Sequence, residues 1–567
     1  MDRITSWADW EKAKAAEPET EAETAPIAAC RAGRHCDLGE TRPSAPTDAT
    51  RIRAPLLAYL IRGGCTACRT TERGVVASGA WVAGQLDLTG ARAPGRVILT
   101  ACTFDAPITA QDCSLPALAL EGSKTPGLDL QRSYITGSLF LHDDFHATGE
   151  VNLLGASIGG QLSCVDGRFD NAKGDALNAQ GAQIRGAVFL RGKLHATGEV
   201  SLAGASIGGQ LSCINGRFDN AIGDALNAQG AQIARAVLLT DGFNAIGVVR
   251  LSGARIGGQL SCVDGRFVNA DKDALFAERM TVTESFLFRK DTEVSGRVAL
   301  SGAHVGDLVD DLACWPKGPD QMILDGFTYE RLSGGAPTDS TSRLDWLARG
   351  SVWQGEFHPQ PYAQLAKVLR AQGQERDAKA IDIARLRLGA RYSRKRRWRN
   401  ATRTKALFAA FENTIDWLGD QLYRRLFGYG YRIERVIVWG LPALFLLASF
   451  LSHKAWHEGS MAPNAAPILV SAEWRAVAED AGIANPAAVW SEDGAAGQDY
   501  ETFNSLTYGA DVVIPILDFG QTDAWAPSTT RGPWGEVLWW ARWVLSLLGW
   551  IVTGLGAAAL TGIIRRD

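Results

Sequence analysis

A decapeptide that returns at a fixed interval constrains this chain more than any other feature. GASIGGQLSC at Gly155–Cys164 recurs at Gly204–Cys213 and, as GARIGGQLSC, at Gly253–Cys262, so the long period is 49 residues. Weaker copies start at Gly181 (GAQIRGAVFL) and Gly230 (GAQIARAVLL) and divide that period into alternating steps of 26 and 23. Continuing the steps reaches Arg132, Arg279 and Gly302, where RSYITGSLFL, RMTVTESFLF and GAHVGDLVDD stand. A unit this short, with Gly, Asn and Asp turns between brief apolar runs, reads as one coil of a parallel β-helix. Equivalent positions then stack at about 4.8 Å per coil, and Leu162, Leu211 and Leu260 become one ladder through the core. GAWVAGQLDL from Gly79 and the stretch Leu115–Leu130 read as further, less regular coils. The expected fold is mainly β: a solenoid over 70–311 behind a helical or irregular cap over 1–69. Sixty-one glycines without a G-X-Y period suit the turns of such coils and exclude collagen.

One column of this alignment runs Leu141, Cys164, Leu190, Cys213, Leu239, Cys262, Phe288, Asp311. Successive cysteines are two coils apart, about 10 Å, which is beyond disulfide reach. They read as small buried hydrophobes, and Asp311 reads as the end of the ladder. The ten cysteines all lie between Cys30 and Cys314, an arrangement that fits a reducing compartment. Cys30, Cys36, Cys65 and Cys68 leave three alternatives open: a structural zinc site if the two pairs meet, a redox pair in the C-x-x-C of GGCTACRT, or unlinked thiols. The cluster His142, Asp143, Asp144 and His146 reads as turn chemistry at a coil corner rather than as a metal site.

Beyond the solenoid, a linker over 312–360 leads to a coupling region over 361–432. Tyr362, Leu365, Ala366 and Leu369 share one helical face, Gly373 ends that helix, and Ala378, Ile381 and Leu388 lie near one face of a second. A basic run without acidic residues follows, with Arg394, Lys395, Arg396, Arg397 and Arg399 at its centre. Its position beside an apolar span points to contact with anionic lipid, and the net charge of -4 gives no reason to expect nucleic acid.

Val436–Ser452 and Trp543–Ile564 are uncharged and long enough to cross hydrocarbon. They suggest transmembrane helices over 433–453 and 543–567 around an insert over 454–542. Arginines precede the first span and follow the second, whereas His453–Arg542 holds twelve acidic and four basic residues. Positive-inside logic places both termini in the cytoplasm and the insert outside. The N-terminus is charged throughout and has no apolar signal core. Gly554, Ala558 and Gly562 follow the small-x3-small spacing of packed membrane helices. Gly554, Gly556 and Ala559 also match a dinucleotide fingerprint, but no βαβ unit fits in the residues that follow. Between the spans, where a simple cation channel carries its pore helix and filter, Thr507, Tyr508 and Gly509 loosely follow a filter-like T-x-x-Y-G theme, with Asp511 and Asp518 as candidates for acidic rings in an oligomer.

The GA-x-I-GGQLSC repeats, the PQPYAQLAKVLRAQG hairpin, GYGYR at Gly428–Arg432 and YGADVVIPILDFGQ before the last span resemble, over nearly the whole chain, a bacterial family of pentapeptide-repeat-like membrane proteins. Its members are often labelled membrane-associated oxidoreductases, so the resemblance implies a membrane-bound solenoid and a redox activity. The residues themselves present no HExxH, G-x-S-x-G, P-loop or kinase set, and no catalytic residue or cofactor is expected from them. They point to a scaffold in the inner (plasma) membrane, anchored by two helices and offering its solenoid to a cytoplasmic protein partner. An oligomeric two-span pore is the rival, with homo-oligomerisation through the membrane hairpin.

Overall fold

The computed structural model describes residues 4–65, 69–400, 414, 416, 417, 421 and 436–560. The chain divides into two compact units, Met1–Gly389 and Ala390–Asp567.

The first unit is a right-through stack of about eleven turns built almost entirely from parallel pairs. Each coil of the regular region carries four short β-segments: Ser157–Ile158, Leu162–Ser163 and the two ends of Arg168–Asn178 form one such set. One column runs Leu115, Ile135, Ile158, Ile184, Ile207, Ile233, Ile256, Val282, Val305, Tyr329 in strict parallel register. In the earlier coils, Ala110, Leu115, Leu120, Thr125, Leu130 and Ile135 are all buried at intervals of five.

The alternating steps of 26 and 23 have a local cause. Asp170 pairs with Thr197 and Asp175 with Glu199, so four residues of the longer coil stand opposite one residue, Gly198, of the shorter. The surplus bulges outward at Asn171–Gly174 and is tied back by Asn171 Nδ2 to the Asp175 carbonyl at 2.8 Å. Gly198 has φ +113, and a Cβ there would collide with the carbonyls of Asn171 and Gly174, so the bulge demands glycine beneath it. The same bond returns from Asn220 to Asp224 and from Asn269 to Asp273.

The buried columns compensate one another in volume. Cys164, Cys213 and Cys262 share their coils with Phe169, Phe218 and Phe267, whereas Leu190 and Leu239 share theirs with Ala196 and Ala245. The Phe169 and Phe218 rings lie over Gly167 and Gly216, where the alternate coils bury Leu194 and Phe243, so the large residue changes column from coil to coil and each layer stays filled. Phe243 bridges the rings of Phe218 and Phe267, each at 5.4 Å.

The stack is longer than the repeat alone indicates. Cys36–Asp37 and Arg51–Arg53 already pair in parallel with Val75–Ser78 and Trp81–Ala83, and Thr328–Leu332 adds a rung beyond residue 311. Phe288 pairs with Asp310, not Asp311, because the strand Thr281–Phe288 holds one extra residue between Val282 and Ser285. Asp310 therefore ends the cysteine column. It is buried and binds Arg343 through two hydrogen bonds, at 2.8 and 2.6 Å, and Trp315 Nε1 at 2.8 Å. At the other end Arg53 makes a buried pair with Glu23 at 2.6 and 2.7 Å and stacks on Trp10.

Helices Gln360–Ala371 and Glu375–Asn400 follow, with Tyr362, Leu365, Ala366, Leu369, Ala378 and Ile381 fully buried and Gly373 at φ +78. Three glutamines of this region close the last rung: Gln360, Gln364 and Gln372 donate to the carbonyls of Phe327, Tyr329 and Leu332. They satisfy a sheet edge that would otherwise be open to another chain.

In the second unit a π-turn at Val436–Gly440 opens into the helix Leu441–His457, and the helix Pro533–Leu560 closes the chain's described part. Both carry stretches long and apolar enough to cross a membrane, Val438–His457 and Pro533–Gly554. The second helix begins ten residues before the expected Trp543 because Pro533 starts it. Arg542 falls within it and lies over the rings of Trp539 and Trp543. The connecting region has its own aromatic core of Trp456, Trp474, Trp490, Tyr500, Phe503 and Trp525.

Candidate functional site: a ridged solenoid and a loop helix

The three bulges stand two coils apart and share the asparagine tie, while their tips differ and the third carries Lys272 where the others have glycine. Lys173, Ile222 and Asp271 occupy one equivalent position within N-A-K-G, N-A-I-G and N-A-D-K. Ile222 is 87% exposed, the most exposed large apolar side chain among the described residues. A positive, an apolar and a negative tip thus follow one another along the stack, the third on a backbone of its own, with Asp271 at φ +60. Sequence reading missed these tips, although the three surplus residues in every second coil were the available signal.

Polar ladders flank the ridge. His146 and Arg168 converge on Asp170 at 2.9 and 2.7 Å, and His195 and Arg217 repeat this on Asp219 at the same distances. Arg250 binds Asp224 with two bonds at 2.6 and 2.9 Å. Burial holds the carboxyls of Glu150, Asp175 and Glu199 above their ordinary range. The hydrogen bonds of Glu150 to Asn178 and of Glu199 to Asn227 pull the other way.

The cysteine column is inert by environment. Cys164, Cys213 and Cys262 are fully buried, and burial pushes their thiols far up. Among the N-terminal cysteines, Cys30 and Cys36 are buried with thiols pushed up to about 11 and about 12. Cys65 is half-buried and Cys68 lies outside the described residues. Among the described residues these cysteines form no group of three metal ligands. Asp143 and Asp144 adopt left-handed turn conformations, as the turn reading expects; His142, with Nδ1 2.9 Å from Asp143 and Nε2 3.4 Å from Glu121, also forms with these two carboxylates the one group of three potential metal ligands among the described residues.

The loop residues Thr507, Tyr508, Gly509 and Asp511 fall on one helix, Ser505–Val513, capped by Asn504. Thr507 Oγ1 donates to the Asn504 carbonyl, and Tyr508 is buried. A side chain at Gly509 would collide with Ser449 of the first apolar helix, and one at Gly549 of the second would collide with the Val513 carbonyl. The nine-residue helix is therefore wedged against both. Asp511 accepts from the backbone N–H groups of Phe519 at 2.7 Å and Gln521 at 2.8 Å, so it fastens its own loop. Asp518 is exposed and accepts from Gly520 N in a local turn. Arg394, Lys395 and Arg396 lie on the helix Glu375–Asn400, while the side chains of Arg397 and Arg399 are outside the described residues. Gly554 is exposed, with open space around it; Ala558 lies on the same helix with its side chain undescribed, and Gly562 lies outside the described residues. No family model, curated protein or solved structure matches this chain, so its site is defined by its own geometry.

Proposed function

We propose that this protein is a membrane-anchored solenoid scaffold that presents its bulge ridge to a cytoplasmic protein partner. The observation that carries the reading is the outward apolar surface of the two long helices. Trp439, Leu446, Trp540, Trp543, Leu547 and Trp550 are each at least 60% exposed, and only 28% and 22% of the two stretches are buried. A core helix of a soluble domain hides such residues, whereas a bilayer is the solvent that accepts them. The tryptophans suit interfacial belts, and the excess of arginine outside the spans supports cytoplasmic termini with the acidic insert on the opposite side. The family resemblance points the same way.

The ridge supplies the docking element. Full-length protein in lipid nanodiscs, used as bait beside a variant carrying Lys173→Glu, Ile222→Asp and Asp271→Lys, tests it. A captured cytoplasmic protein that the ridge variant no longer retains is the expected result. Identical capture by both baits contradicts the assignment to the ridge. A second reading, an oligomeric pore, draws support from the loop helix wedged between the two apolar helices, the location of a pore helix in two-span channels.

A further inference from the structure

One coil corner near the start of the stack departs from the repeat. Glu121 and His142 stand at the same place in successive coils, three residues after the paired Leu118 and Leu139. The coils that follow put Val165, Arg191 and Ile214 there, three residues after Leu162, Val188 and Leu211. Asp143, next in the chain, belongs to a left-handed turn at φ +53, and Asp166 and Asp264 repeat that turn at φ +57 and +56. Turn chemistry therefore accounts for Asp143 and leaves Glu121 and His142 unexplained.

The contacts of this histidine do not balance in protons or in charge. Its Nδ1 lies 2.9 Å from Asp143 Oδ2 and its Nε2 3.4 Å from Glu121 Oε1, and neither carboxylate pairs with Lys or Arg among the described residues. A neutral imidazole carries one N–H. With that proton on Nδ1 it donates to Asp143, and Nε2 then meets Glu121 as acceptor against acceptor. The corner is left with two negative charges, which one divalent cation balances. The 3.4 Å separation is the edge between two ligand atoms of a tetrahedral site with bonds of about 2.1 Å. A carboxylate on the other ring nitrogen, the place Asp143 takes, is the usual support of a metal-bound imidazole. A nitrogen donor beside carboxylate oxygen suits zinc, whereas calcium and magnesium take oxygen alone. Further donors come from a second segment. A cavity of about 400 Å³ lies over the corner, walled by Glu121 and Asp143 on one side and by His35, Asp37 and Glu40 on the other. The segment that carries Glu40 is pinned across the corner, with Arg42 donating to the Asp144 carbonyl at 3.1 Å and the Pro43 carbonyl accepting from Thr103 Oγ1 at 2.8 Å. Asp37 is spent on Gly39 N and Ser78 Oγ, while the exposed side chains of His35 and Glu40 make no hydrogen bond or ion pair among the described residues. We propose that this corner is a zinc site: His142 Nε2 and Glu121 hold the ion, Asp143 orients the imidazole, and His35 and Glu40 complete the shell from the facing wall. The ion staples the N-terminal segment to the flank of the solenoid, and the site stands whether or not the second unit crosses a bilayer.

Zinc content of the full chain after equilibrium dialysis in nanodiscs tests this. Wild type should retain one equivalent that Glu121→Gln and His142→Gln lose, while His146→Gln, on the Asp170 ladder, keeps it. Glu40→Gln alters only an exposed side chain, so folding is not at risk, and it should weaken retention. Cobalt loaded in place of zinc should give ligand-field bands without thiolate charge transfer; a thiolate band would assign the ion to the cysteines instead. Equal retention by wild type and His142→Gln, or no retention by wild type, overturns the site.

Discussion

At the scale of single residues, the cysteine ladder was legible because a period of 49 aligns Cys164, Cys213 and Cys262 without any structure. Its partner column was not, since Phe169 and Ala196 stand at different offsets within coils of unequal length. Volume compensation between the two columns makes a direct prediction. Cys213→Leu overfills its layer and costs about 1–3 kcal/mol, whereas adding Phe218→Ala removes the ring over Gly216 and leaves room for the larger side chain at 213. The double variant should therefore lose less stability than the sum of the two single changes, as read by chemical denaturation. Strict additivity would show that the columns do not share one packing space.

At the scale of elements, the repeating coils could be read from sequence and the ends of the stack could not. The final rung, Thr328–Leu332, lacks the GA-x-I pattern, and the one-residue irregularity before Ser285 shifts the column end from Asp311 to Asp310. What closes the stack is side-chain chemistry from distant positions, the glutamines at 360, 364 and 372 and the Asp310–Arg343 pair. Neither has a periodic signature. Both partners of that pair have fully buried side chains, so Asp310→Ala strands a guanidinium in the core and should destabilise the first unit by about 3–5 kcal/mol. Fluorescence of Trp315 and Trp346 during denaturation reads the loss. Replacing both partners by apolar residues, Asp310→Leu with Arg343→Met, should recover most of it. The loop helix was legible only as a motif: the sequence suggested acidic rings at Asp511 and Asp518, and the structure shows Asp511 spent on its own loop.

At the scale of the whole molecule, the chain packs as two separate units. The first is a column of parallel ladders with capped ends and a row of bulges, and the second holds two helices with exposed apolar side chains. Sequence alone suggested this division, because apolar length and charge asymmetry survive without any knowledge of packing. It did not suggest the ridge, which exists only once unequal coils are stacked. The central claim is that the second unit holds the first on a bilayer, and membrane fractionation with a protease site inserted after Gly389 tests it most directly. The intact chain should remain in carbonate-washed membranes, and cleavage at neutral pH should free the 1–389 unit into the supernatant while the remainder stays in the pellet. Recovery of the intact chain in the supernatant would contradict the account.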